Sequence, residues 1–345
     1  MSYQIGIDTI NLRPTPRLAH TEYCSNEAIV RRIGGGPVDD PQVQRKFAEW
    51  FETDFVWTVN DGPVNWGAQG RVTDMGHAEF LEDGRDRRDT IHCPFRTVEE
   101  VWAFDAVEEY GLPSHKDLVA YYKGCYKDVR KNPAVVCPGG YYKTIVSGAI
   151  QAFGWDMLLT AAADRRKFEK VLDGIYRFSL AHYKAQAEAD IEVFICHDDM
   201  VWSQGAFMHP DFYRSVIFPR YKELWRPVRQ AGIKLLFCSD GQFTEFFEDL
   251  AEAGADGFIF EPMTSLEKCV RLFGKTHCIV SSKVDARTLT FGAKDSVRRE
   301  VDATLELAFD CPGFIFAVGN HIPSNIPVEN IEFYIEYLKA NWKRP

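Results

Sequence analysis

Short apolar runs rich in Val, Ile or Phe recur along the chain at residues 54–60, 134–137, 191–196, 233–238, 257–260, 278–282 and 314–318. Runs this short and continuously apolar read as strands buried on both faces. Between them lie longer stretches of helical periodicity, at residues 164–189, 210–231, 243–253, 295–309 and 328–341. Several begin near an acidic, Ser or Asn residue, and Gly232 and Gly254 fall just past the ends of two of them, as helix stop signals do. Strand–helix units in series predict a parallel sheet. At least seven strand candidates, with no GxGxxG turn after the first, favour a (β/α)8 TIM barrel over an open doubly wound sheet, within the α/β class.

The expected organisation is one domain over residues 1–345, of which residues 1–50 form an N-terminal extension. No repeat of solenoid period and no Gly/Ser- or Pro-rich linker divides the chain. A composition of 46% hydrophobic and 26% charged residues argues for a folded core. The formal net charge of −10 argues against general attraction to nucleic acid or an anionic membrane surface. No apolar run approaches the roughly 20 residues that span a bilayer, and the N-terminus does not resemble a signal peptide, so a cytoplasmic location is expected. Nine cysteines without CxxC pairs fit reduced thiols rather than a disulfide framework.

Active sites of such barrels sit at the carboxyl ends of the strands. Those positions read Asn60 and Asp61; His197, Asp198 and Asp199; Cys238 and Asp240; Glu261; Lys283 and Asp285; Asn320 and His321. A single acid in such a loop is usually a turn or cap residue. Cys238, Glu261 and His321 are not turn formers, and a thiolate, an imidazole and carboxylates make a plausible Zn²⁺ shell. His197-Asp198-Asp199 offers a general acid or base, with one functional member expected; the alternative is that Asp198 or Asp199 simply hydrogen-bonds barrel loops. Trp57, Trp66, Trp155, Trp202 and Phe207 are candidates for the wall of an apolar pocket, or simply core. His20, His77, His92, His115, His182, His209 and His277 lack consistent ligand spacing and receive no role. No Walker loop, nucleophile elbow or HExxH occurs.

Residues 190–327 carry a resemblance. The matching text is Cys196-His197-Asp198-Asp199-Met200, Met208-His209-Pro210-Asp211-Phe212-Tyr213, Phe218-Pro219-Arg220-Tyr221-Lys222, Cys238-Ser239-Asp240-Gly241, Val284-Asp285-Ala286 and Pro327-Val328-Glu329-Asn330-Ile331. In order and spacing it resembles the uroporphyrinogen decarboxylase superfamily and its cobamide-dependent methyltransferase-like branch. The resemblance implies a TIM barrel and a zinc shell in which Cys238, Asp240 and His321 stand at the places of the branch's His-x-Cys pair and later Cys. A similar glutamate ligand in cobalamin-independent methionine synthase adds Glu261. A second signature, from corrinoid-dependent O-demethylases, is similar to Asp285, Glu300 and His321, although Arg298 and Arg299 place Glu300 on a solvated helix face.

The implied reaction is transfer of a methyl group from a small methylated donor, an O-methyl ether among them, to a corrinoid protein. Zinc acts there as Lewis acid, and Asp61, His197 or Asp199 orients substrate or moves a proton. The decarboxylase branch implies a rival reading: Arg13 and Arg17 bind substrate carboxylates, Asp61 stabilises pyrrole charge, and no metal is needed. A third reading is a non-catalytic barrel that binds a corrinoid or methylated ligand.

Overall fold

The computed structural model describes residues 1–66, 79–82, 85, 87, 93–131 and 134–345; His77 and His92 lie outside them. Among the described residues, seven strands form one sheet: β1 (Ala19–His20), β2 (Gly139–Tyr141), β3 (Val193–His197), β4 (Lys234–Cys238), β5 (Gly257–Ile259), β6 (Cys278–Ser281) and β7 (Phe314–Phe316). Every adjacent pair is parallel, in the order β1-β7-β6-β5-β4-β3-β2.

The eighth place, between β1 and β2, is filled by the predicted strand at 54–60, which makes scattered bonds rather than a ladder. Asp54 N donates to His20 O at 2.7 Å, Val56 N to Val136 O at 2.8 Å and Asn60 N to Gly140 O at 3.3 Å. These bonds close the ring into a (β/α)8 barrel. The strand expected at 134–137 begins later: Val136 bridges only Phe55, and Pro138 contributes no N–H, so the ladder with β3 starts at Gly139 opposite Phe194. A side chain at Gly139 would sit 2.3 Å from Ile191 Cδ1, which is why glycine stands there. β1, two residues long, gave no readable apolar run. It lies inside the stretch expected as an extension, so part of residues 1–50 belongs to the barrel wall.

Alternation along each strand separates two apolar layers. Ala19, Val193, Ile195, Leu236, Cys238, Ile259, Val280 and Ile315 fill the barrel interior, joined from below by Ile7 and Ile10 of the helix Tyr3–Ile10. Phe194, Cys196, Leu235, Phe237, Phe258 and Phe314 face outward to the helices. Those helices match the periodicity: Arg165–Ala187, Phe218–Gln230, Phe247–Ala253, Lys294–Ala308 and Val328–Asn341. Asp164 caps the first by accepting from Lys167 N, and Gly254, at φ 118°, ends the third. Among the described residues, no helix is long and apolar enough to cross a membrane.

Candidate active site at the barrel mouth

Strand parity decides what the loops present. In β3, Val193 and Ile195 point inward, so His197 and then Asp199 continue that face into the mouth while Asp198 turns outward. Buried Asp198 accepts the backbone N–H groups of Ile145 (3.1 Å), Val146 (3.1 Å) and Ser147 (2.5 Å), and the Tyr221 hydroxyl (2.6 Å). It therefore caps the helix Val146–Ala162 from a distance. Burial pushes its carboxyl up to about 6, against the lowering effect of those donors.

Asp199 is organised differently. Its Oδ1 meets His197 Nε2 at 3.1 Å and accepts Asp240 N at 2.9 Å, and its Oδ2 accepts the Tyr142 hydroxyl at 2.9 Å. Burial pushes this carboxyl up, but His197, the Asp240 N–H and Tyr142 outweigh it and hold Asp199 below its ordinary value. The Tyr142 ring lies 4.2 Å from the imidazole. His197 Nδ1 is buried without a hydrogen-bond partner. Among the described residues, His197, Asp199 and Asp240 form the one group of three or more His, Cys, Asp or Glu side chains whose ligand atoms all lie within 4.8 Å of one another.

The quartet expected from the sequence does not assemble as one shell, because no three of its members meet that distance; only Asp240 joins the cluster. Cys238 ends β4 with its thiol in the packed interior layer, where burial, then the charges of Asp240 and Asp199, push its titration well up. Glu261 Oε1 accepts Gly241 N at 2.7 Å, and burial raises its carboxyl against that bond. His321 Nδ1 pairs with Asn320 Oδ1 at 3.0 Å, and its ring lies 5.5 Å from Tyr23. Asn320 Nδ2 donates to Asp240 Oδ2 at 3.0 Å, so His321 reaches the cluster through the Asn320 amide. The second signature is structural: Asp285 caps the helix Ala286–Phe291, and Glu300 accepts from Asp285 N at 3.3 Å and the Thr288 hydroxyl at 2.7 Å.

Asp61 lies at the mouth beyond the eighth wall segment. Buried Lys143 donates to Asp61 O at 2.9 Å and Val64 O at 3.2 Å, with the Asp61 carboxylate 3.9 Å from its Nζ. Trp57 packs half-buried against the interior layer, whereas Trp202, 44% exposed, stands on the rim against Trp155 (5.8 Å) and Phe207 (5.7 Å). The expected substrate-binding arginines are elsewhere. Arg17 precedes β1, at the opposite end of the barrel, and forks onto buried Asp54 at 2.6 and 2.9 Å beneath Trp342; Arg13 is largely exposed and pairs with Asp8 at 3.2 Å. Neither position lets them clamp a substrate at the mouth. Tyr142 was not singled out in the sequence, because the strand before it, with its two glycines, carries no apolar run. The register of Tyr141 against Cys196, which sets Tyr142 level with His197, is the signal that finds it.

A closed parallel barrel with acids and an imidazole converging at its carboxyl mouth defines the molecule as an enzyme-type TIM barrel. The pattern of the family uroporphyrinogen decarboxylase (URO-D) matches residues 87–341, and the chain belongs to that family. A uroporphyrinogen decarboxylase of Thermus thermophilus is 29% identical over 174 residues, 50% of this chain and 48% of that protein, so the chain spans about half the length of this relative. Among solved structures, a methyltransferase from Methanosarcina mazei superposes with a TM-score of 0.67 at 18% identity, covering 97% of this chain and 98% of the other. A B12-independent methionine synthase from Shewanella sp. W3-18-1, in complex with selenomethionine, gives 0.50 at 10% identity over 94% and 93%. At these identities the structural likeness shows the barrel fold.

Proposed function

We propose that the protein transfers a methyl group from a small methylated donor to a corrinoid protein, with the chemistry at the barrel mouth. The observation that carries this reading is the convergence of His197, Asp199 and Asp240 at a mouth from which Arg13 and Arg17 are absent. The fold likeness to a methyltransferase supports it. One imidazole and two carboxylates are a donor set that suits Zn²⁺ or a similar divalent ion. When bound, such an ion supplies Lewis acidity at the heteroatom that the methyl group leaves.

The chain's own residues do the rest. Asp199, held ionised, and Asp240 give the mouth its negative charge; Asn320 fixes the Asp240 carboxylate; Asp61 and His197 flank the space that a donor enters. Trp57 and Trp202 offer apolar surface for the donor's body. Glu261 and His321 are the outer members of this arrangement, and Cys238 is part of the packing below it. The test is a mixture of this protein with a cobalt(I) corrinoid protein and a panel of methylated donors. Appearance of methyl-cobalt absorption, lost in Asp240→Ala, supports the reading; its absence across the panel overturns it.

The name of the Thermus relative favours a second reading, decarboxylation of a porphyrinogen-type substrate. Porphyrinogen turnover that persists in metal chelator would establish it. The placement of Arg17 in an ion pair at the far end of the barrel speaks against carboxylate recognition by that residue.

A further inference from the structure

The residues just after β2 sit between two parts of the mouth. Lys143 reaches one way, to the carbonyls of Asp61 and Val64. Tyr142 reaches the other way, to Asp199. Thr144 fixes the main chain between β2 and β3 by donating to His197 O at 2.9 Å. With its backbone tied on both sides, Tyr142 brings its phenol to Asp199 without further ordering.

We propose that Tyr142 is a positioning residue for the His197–Asp199–Asp240 cluster: its hydroxyl holds Oδ2 of Asp199 so that Oδ1 faces the other two groups, and its ring braces the His197 imidazole. This inference rests on the metal-binding reading of the site. A carboxylate with one oxygen occupied by a phenol is fixed in rotation and offers a cation a single oxygen. Outer partners of this kind commonly set ligand geometry and affinity. The 4.2 Å contact between the rings limits the imidazole in the same way. The cluster is thereby built from β2, β3 and β4, one strand more than its ligands come from.

The test uses Co²⁺ added to the metal-free full chain and followed by its visible absorption, with thermal unfolding alongside. Tyr142→Phe, which removes only the hydroxyl, is expected to bind Co²⁺ about ten- to a hundredfold more weakly, with an altered absorption envelope and an unchanged unfolding midpoint. Tyr337→Phe is the control, because Tyr337 donates to Asp302 at the same 2.9 Å away from the mouth; it is expected to bind as the unsubstituted protein does. Unchanged affinity and spectrum in Tyr142→Phe would overturn the positioning role and leave the cluster standing. Failure of the unsubstituted protein to bind Co²⁺ would overturn the metal reading and this inference with it.

Discussion

The two ends of the barrel both bury charge, and they do so in opposite ways. At the amino end, Arg17 and Asp54 form a two-bond fork, the second carboxylate oxygen also accepts His20 N at 3.2 Å, and Trp342 covers the guanidinium. Both charges of the pair are fully engaged within the fold. At the carboxyl end, two acids crowd one imidazole, and Asp199 is kept ionised. A closed set of bonds stabilises; a crowded set beside an opening binds. The same contrast separates neighbouring residues: Asp198, with its four donors, belongs to the scaffold, and Asp199 to the mouth.

Substitutions at the two ends should therefore separate stability from binding. The largest effect expected is on folding: Asp54→Asn removes the buried carboxylate that Arg17 forks onto, leaving only Glu52 at 3.7 Å as its counter-charge, and should cost about 3 kcal/mol or more in denaturant unfolding while leaving Co²⁺ affinity unchanged. Asp198 sharpens the contrast through pH. Its folded value of about 6 exceeds the ordinary 3.8, so as pH rises through that window the unfolded chain releases this proton first and stability falls. The total is about 3 kcal/mol, level above pH 6. Asp198→Asn should remove that slope, read as the variant-minus-parent difference in urea unfolding across this range. At the mouth, Asp240→Ala should weaken Co²⁺ binding by more than about a hundredfold, beyond the loss typical of outer partners, with little change in unfolding. The smallest effect belongs to Arg13→Ala, within about 0.5 kcal/mol in stability, with Co²⁺ binding intact.

Much of the barrel was legible because β3 to β7 are apolar runs whose burial on both faces leaves a plain pattern. What escaped was local. β1 is two residues, too short for periodicity, and β2 contains two glycines chosen for close packing rather than strand propensity. In the site, the strand-end reading picked out His197, Asp199 and Asp240 one by one, yet grouped Asp240 with Cys238, Glu261 and His321. Spacing along the chain cannot distinguish Cys238, one layer down in the interior, from Asp240, two residues on and one layer up. Counting inward positions along β4 does so.

That difference in layer is the centre of the account, and Co²⁺ titration of Cys238→Ala tests it most directly. The prediction is unchanged affinity, no thiolate-to-cobalt charge-transfer band in either protein, and a stability loss of about 1 kcal/mol from the emptied thiol position. A charge-transfer band in the parent that disappears in the variant together with tight binding would show that the sulfur is a ligand, and would contradict the site described.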